Sequence, residues 1–182
     1  MRKLKLDELN RISVKDFKEA EKLPLVVVLD NIRSLNNIGS IFRTADGFRV
    51  EKIHLCGITA CPPHRDIQKT ALGATDSVEW KYFDSTLDSI HELKKEGYII
   101  LCLEQVENST YLHDFQPQKN SKYALVLGNE VKGVDDLIIE KSDFYIEILQ
   151  IGTKHSFNVT ISAGIAIYDI ALKLKYLDLT KL

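Results

Sequence analysis

Six short apolar runs, separated by polar stretches with helical spacing, set the plan of this chain. Leu25–Leu29 is an unbroken apolar run behind Pro24. Lys52–Leu55, Val78–Phe83, Tyr98–Leu103, Tyr123–Leu127 and Asp143–Ile148 follow. Runs of this length, bounded by turn residues, are strand-like, and those at Tyr98–Leu103 and Tyr123–Leu127 have the pattern of buried strands. Between them the apolar positions return at helical spacing. One helix runs through Ile41, Phe42, Arg43, Ala45 and Phe48, entered from the Asn31–Gly39 loop. A second carries Ile67, Ala71 and Leu72 after Pro62-Pro63 and stops at Gly73. A third runs through Leu87, Ile90, Leu93 and Lys94, capped by Asp84 or Ser85 and stopped by Gly97. The last helix is expected from Phe157 to about Tyr176 with Ser156 as its N-cap. It carries two apolar stripes, Ile161/Ile165/Tyr168/Leu172 and Val159/Ala163/Ala166/Ile170. A helix apolar on two sides is covered on two sides, the second by another layer or by a partner subunit. Strands alternating with helices predict an α/β domain whose sheet is mostly parallel and flanked by helices. A short turn is expected near Leu112–Phe115, in the loop before Tyr123.

Composition changes this picture little. The chain has 182 residues, 45% hydrophobic and 27% charged, enough for one domain with a substantial core. Residues 1–22 form a short helical extension broken near Ser13, and residues 23–182 form the domain proper. A solvated helical face is the simpler reading of that extension, although its basic residues outnumber the acidic ones. The net charge of −2 gives no global sign of a polyanion partner, so any basic surface must be local. Cys56, Cys61 and Cys102 have irregular spacing, and the five histidines are scattered, so neither a disulfide framework nor a metal site is expected. The N-terminus is charged from Arg2 onward. The most apolar stretch is interrupted by Asn158, Asp169 and Lys173. A cytoplasmic protein without a membrane span is therefore expected.

The usual signatures of nucleotide-binding folds and of serine nucleophiles are absent. What stands out is three polar islands, each closing a strand or opening a helix. They are Asn37-Ile-Gly-Ser-Ile-Phe-Arg43, Leu127-Gly-Asn-Glu-Val-Lys-Gly133 and Ser156-Phe-Asn158. Singly, each has an ordinary reading. Asn36 or Asn37 caps a helix, Arg43 pairs with Asp46, Gly128 and Gly133 make a turn, Glu130 is a loop acid, and Ser156 and Asn158 are first-turn residues.

Together and in this order, the islands resemble the three motifs of the SpoU (TrmH-like) branch of the SPOUT RNA methyltransferases. The first resembles Asn-x-Gly-x-x-x-Arg and the second Leu-Gly-Asn-Glu-x-x-Gly. The third resembles Ser-Leu-Asn-Val before a small-residue helix, with Phe157 in place of Leu. The resemblance runs from Pro24 to about Leu174. It departs at Ile148-Leu149-Gln150, where the family often has Ile-Pro-Met, and in the absence of a separate N-terminal RNA-binding domain. The resemblance implies a C-terminal deep trefoil knot, against the general rule that chains are unknotted. It also implies S-adenosylmethionine bound in the knot, methyl transfer to a ribose 2′-OH of tRNA or ribosomal RNA, and a homodimer that completes the site.

By the same resemblance Arg43, Asn37, Glu130, Ser156 and Asn158 are the catalytic candidates. Leu103, Glu104, Gly128, Ile148, Gln150, Ser156 and Phe157 are the cofactor-binding candidates, with Gly128 expected to admit the ligand close to the backbone. Arg33, Arg43, Arg65, Lys69, Lys132, Lys154 and His155 are the RNA-binding candidates, all in or beside the islands. Arg43, in the second turn or so of its helix, is expected to reach the crevice. The Glu104-Gln105 and Tyr98-Ile-Ile stretches resemble the subgroup that methylates a guanosine in the tRNA D-loop. A knotted base-nitrogen methyltransferase and a non-catalytic RNA-binding module of the same fold remain the alternatives.

Overall fold

The computed structural model describes residues 1–9 and 11–177; residues 178–182 of the expected domain lie outside the described residues. After a 3-10 turn at Leu6–Leu9 and helix α1 (Val14–Glu19) come β1 (Leu23–Asp30), α2 (Leu35–Gly47), β2 (Val50–Cys56), α3 (Arg65–Ala71) and α4 (Ala74–Ser77). They are followed by β3 (Glu79–Phe83), α5 (Thr86–Lys95), β4 (Tyr98–Leu103), β5 (Thr110–Tyr111), β6 (Lys122–Leu127), α6 (Asp136–Lys141), β7 (Phe144–Glu147) and α7 (Val159–Lys173). All seven strands form one sheet in the order β3-β2-β1-β6-β4-β7-β5, and every pairing is parallel.

The central apolar runs become strands because both faces of the sheet are covered there. Along β1, Leu23, Leu25, Val27 and Leu29 point into a core shared with α1, α2, α3, α4 and α7. Val26 and Val28 point into a second core shared with α5 and α6. The same alternation holds on β6, where Tyr123, Leu125 and Leu127 face the first core and Ala124 and Val126 the second. Register slips between Leu23 and Val26, next to Pro24, which has no N–H to give to the ladder. The N-terminal extension reaches the same core through the buried Phe17 of α1. On the other face His54 is buried and bonded to the Ser89 hydroxyl at 2.8 Å. Burial, followed by the charge of Lys52, pushes its pKa down to about 4, so it is a neutral core residue near pH 7.

Several boundaries differ from the sequence reading. The last helix starts at Val159, and its N-cap is Asn158, whose side-chain oxygen accepts from Thr160 N–H at 2.9 Å; Ser156 lies outside the helix. Helix α2 starts at Leu35 with Ser34 as its cap, so Asn36 and Asn37 lie inside the first turn. Helices α4 and α6 and the two-residue strand β5 have no strong pattern in the sequence; they are too short to repeat their period twice. The two apolar stripes of α7 separate cleanly. Ala163, Ala166 and Ile170 are buried against α2 and the sheet, while Ile161, Ile165, Tyr168 and Leu172 are 38–53% exposed.

Candidate active site

Strands β1 and β6 are neighbours at the middle of the sheet, and chain order reverses on either side of them. In open α/β sheets the crevice outside the carboxyl ends at such a reversal is where ligands bind. Here those ends carry the first two islands, and α7 begins beside them.

Glu130 joins the islands. Its carboxylate accepts from the backbone N–H groups of Arg33 and Ser34, each at 3.0 Å, and from the Asn37 side-chain amide at 2.9 Å. The Asn37 carbonyl oxygen accepts in turn from the Asn158 amide at 3.4 Å. A chain of polar contacts therefore runs from the turn after β6, through the first turn of α2, to the cap of α7. Burial alone would raise the Glu130 carboxyl. The hydrogen bonds from Arg33, Asn37, its own backbone and Ser34 outweigh it and hold the group below its usual range.

The turn itself is tightly built. Asn129 donates to Asn31 O at 2.7 Å and accepts from Val131 N–H and Lys132 N–H. A Cβ on Gly128 would overlap the backbone of Gly133 and Val134. Gly128 is needed for this close crossing of the chain over itself. Gly133 has φ +73°, and a Cβ there would meet the Glu104 carboxylate. Glu104 uses one oxygen on Val134 N–H at 3.0 Å and the other on Gln105 N–H at 2.9 Å. It holds the turn, a role that sequence reasoning did not assign to it.

Sequence reasoning also missed Asp30, a nearly fully buried carboxylate that closes β1. It accepts from Thr86 Oγ1 at 2.5 Å, from the Asn31 amide at 2.8 Å and from Asp135 N–H at 2.9 Å. It ties the loop after β1 to α5 and α6. The only sequence signal is an acid ending an otherwise apolar strand.

The remaining candidates fall into groups. Leu103 and Ile148 are partly buried at the carboxyl ends of β4 and β7 and pack on the core edge. Gln150 is partly buried; Lys154, His155, Ser156 and Phe157 are exposed on the loop before α7. Among the described residues no hydrogen bond of the Ser156 side chain is found. Arg33 and Lys132 are exposed at the crevice rim. Arg33, Ser34 and Glu130 border a shallow recess of about 370 Å³. A larger cavity of about 570 Å³ lies at the opposite, amino-terminal edge of the sheet, lined by residues such as Lys22, Glu51, Glu79 and Trp80. It contains none of the island residues.

Arg65 and Lys69 are exposed one turn apart on α3. That helix docks tightly on α2, because Gly39 leaves no room between the two and Thr70 Oγ1 donates to Asn36 O at 3.0 Å. Arg43 does not behave as expected. It lies six residues beyond Asn37, which turns it about 240° around the helix axis. Its side chain is exposed, and no hydrogen bond or ion pair of it occurs among the described residues. Within this chain it makes no hydrogen bond to Asn37, Glu130 or Asn158. Nor does it pair with Asp46, which accepts a short hydrogen bond from Ser77.

Among the described residues no cluster of His, Cys, Asp or Glu is arranged to hold a metal ion, and no helix is long and apolar enough to cross a membrane.

The model of the SpoU rRNA Methylase family matches residues 24–168. A Staphylococcus haemolyticus protein, named at the level of the TrmH family of tRNA/rRNA methyltransferases, is 30% identical over 160 residues, 88% of this chain and 63% of its own length. This chain thus spans less than two thirds of the curated relatives it matches. Among solved structures, the AdoMet-bound rRNA methyltransferase from Sinorhizobium meliloti superposes with a TM-score of 0.78 at 23% identity, covering 87% of this chain and 60% of that one. A protein solved in connection with 2-OH methylation of C/U34 on tRNA superposes with a TM-score of 0.74 at 19% identity, covering 85% of this chain and 99% of that one. At these identities the two likenesses establish the fold.

Proposed function

As the chain belongs to the SpoU rRNA methylase family, we propose that it transfers a methyl group from S-adenosylmethionine to a ribose 2′-OH of RNA. The observation that carries this reading is the polar chain Glu130–Asn37–Asn158, which joins all three islands at one crevice.

The residues around that crevice suit the methyl donor. An adenosine moiety needs backbone hydrogen-bonding groups and apolar walls. The loop from 148 to 157 offers backbone of which, among the described residues, only the His155 carbonyl has a hydrogen-bond partner. Leu103, Ile148 and the 43% exposed Phe157 supply apolar surface beside it. Gln150 and Ser156 are the polar candidates on the same loop, and Glu104 and Gly128 act by holding the adjoining turn. When bound, S-adenosylmethionine supplies a methyl group on a positively charged sulfur. The protein must position the 2′-oxygen and stabilise the charge that grows on it as its proton leaves for phosphate or water. Glu130, Asn37 and Asn158 fix the crevice. Arg43 is permanently cationic, which suits it to hold the neighbouring phosphate and stabilise the developing alkoxide.

Because Arg43 is exposed and, among the described residues, has no hydrogen bond or ion pair in its own chain, the active form is proposed to be a homodimer in which α2 of one protomer serves the crevice of its partner. The exposed Ile161/Ile165/Tyr168/Leu172 face of α7, next to α2 through the Phe48–Tyr168 contact, is the proposed interface. Sedimentation equilibrium at micromolar concentration should give twice the 20.7 kDa chain mass; a single-chain mass would exclude the dimer.

Residues 23–182 are proposed to form the knotted methyltransferase domain, with 1–22 as its extension, in a cytoplasmic protein. An experimental structure with an unthreaded C-terminal segment would refute the knot. The RNA is proposed to be tRNA, with a D-loop guanosine the first nucleotide to examine, and ribosomal RNA the alternative. The exposed Arg33, Arg65, Lys69, Lys132, Lys154 and His155 would meet its phosphates. Methyl transfer in vitro to total RNA, and its loss when the target nucleotide is 2′-deoxy, tests the reading. Transfer that survives on the deoxy substrate would favour base methylation.

A further inference from the structure

The loop before α7 is weakly attached. Residues 151–158 are all exposed, and from 148 to 157 the backbone has one hydrogen-bond partner among the described residues. That partner is the side-chain amide of Gln105, which donates to His155 O at 3.2 Å. Gln105 is well placed to act as an anchor. It directly follows Glu104, whose two oxygens bond Val134 N–H and Gln105 N–H and so lock the end of β4 to the turn after β6. A rigid point thus reaches a weakly held segment through one flexible side chain.

We propose that Gln105 is a positioning residue that latches the 148–157 loop in its donor-binding shape. The proposal rests on the reading that this loop holds S-adenosylmethionine. A loop that is unlatched part of the time binds more weakly by the fraction of time it is competent, while chemistry in the assembled complex is unchanged. Gln105→Met keeps the chain length and loses the N–H donor; Gln105→Lys restores a donor.

Two measurements read the proposal. Thermolysin cleaves before large apolar residues, and Leu149, Ile151 and Phe157 are exposed on this loop; the rate of nicking there, followed by mass spectrometry, reports loop release without any ligand. Calorimetry with S-adenosylhomocysteine, together with KM and kcat for the donor, reports the consequence. In Gln105→Met, nicking is expected to accelerate and the Kd and donor KM to rise about five- to tenfold. The kcat at saturating donor and the melting temperature should stay near wild type, and Gln105→Lys should behave like the parent. Unchanged nicking in Gln105→Met overturns the latch whatever the affinity. Faster nicking with unchanged affinity overturns its link to the donor. If the parent protein binds no S-adenosylhomocysteine, the donor reading and that link fail together, while nicking still decides the latch.

Discussion

Arg43→Ala is expected to lower the single-turnover rate of RNA methylation by about 10²–10³, the usual effect of removing one donor from a developing oxyanion. Stability and S-adenosylhomocysteine binding should stay close to wild type. The side chain is exposed and has no hydrogen bond or ion pair among the described residues, so its removal leaves no buried group unpaired. Arg43→Lys should also be slow, because an ammonium cannot hold a phosphate and the reacting oxygen in one planar fork. Assays at saturating donor and RNA separate the chemical step from binding. Near wild-type rates for both variants would remove Arg43 from the mechanism and leave it a surface charge.

Glu130→Ala is expected to be the most damaging single change for the architecture of the site. It strips the acceptor from Arg33 N–H, Ser34 N–H and the Asn37 amide at once. Bonds to a charged group contribute about 1.5–3 kcal/mol each, and water at this half-exposed position replaces part of that. A loss of about 2–4 kcal/mol in urea denaturation follows, with methyl transfer falling in parallel as Asn37 loses its orientation. The pH dependence has a definite sign. The folded-state pKa of Glu130 lies below its unfolded value, so its contribution is fully present above the unfolded carboxylate pKa. It is lost as pH falls through the folded one. The acid limb of the stability curve should therefore be shallower in Glu130→Ala than in the parent. An unchanged denaturation midpoint and acid limb would show that the three bonds contribute little.

The central strands β1, β4 and β6 were legible in the chain because burial on both faces leaves nearly unbroken apolar runs. Tyr98–Leu103 forms β4 without adjustment, and the other five expected strands shift by no more than two residues at either end. What escaped was either short or distant. The six residues of α6 and the two of β5 are too few to repeat a period twice. The cap of α7 moved from Ser156 to Asn158 because both are good caps and local sequence does not rank them. The hubs are a different matter. Glu104 reaches Val134 and Asp30 reaches Asp135, 30 and 105 residues away. Such bonds depend on which strands lie side by side, which residue types do not state. Gly128 lies against the backbone of Gly133 and Val134, a close approach that depends on which segments the fold brings together. Arg43 shows the reverse limit. Spacing put it near the crevice, and in the structure it is exposed without a hydrogen bond or ion pair among the described residues.

The central claim, methyl transfer to a ribose oxygen, is tested most directly by nucleoside mass spectrometry. RNA from cells lacking the gene would be incubated with the protein and S-adenosylmethionine carrying a trideuterated methyl group, then digested to nucleosides. The heavy methyl is expected on the ribose of a 2′-O-methylated nucleoside, and is expected to be absent with Arg43→Ala. A heavy methyl found only on a base, or none in any RNA with a folded dimer that binds S-adenosylhomocysteine, would contradict it.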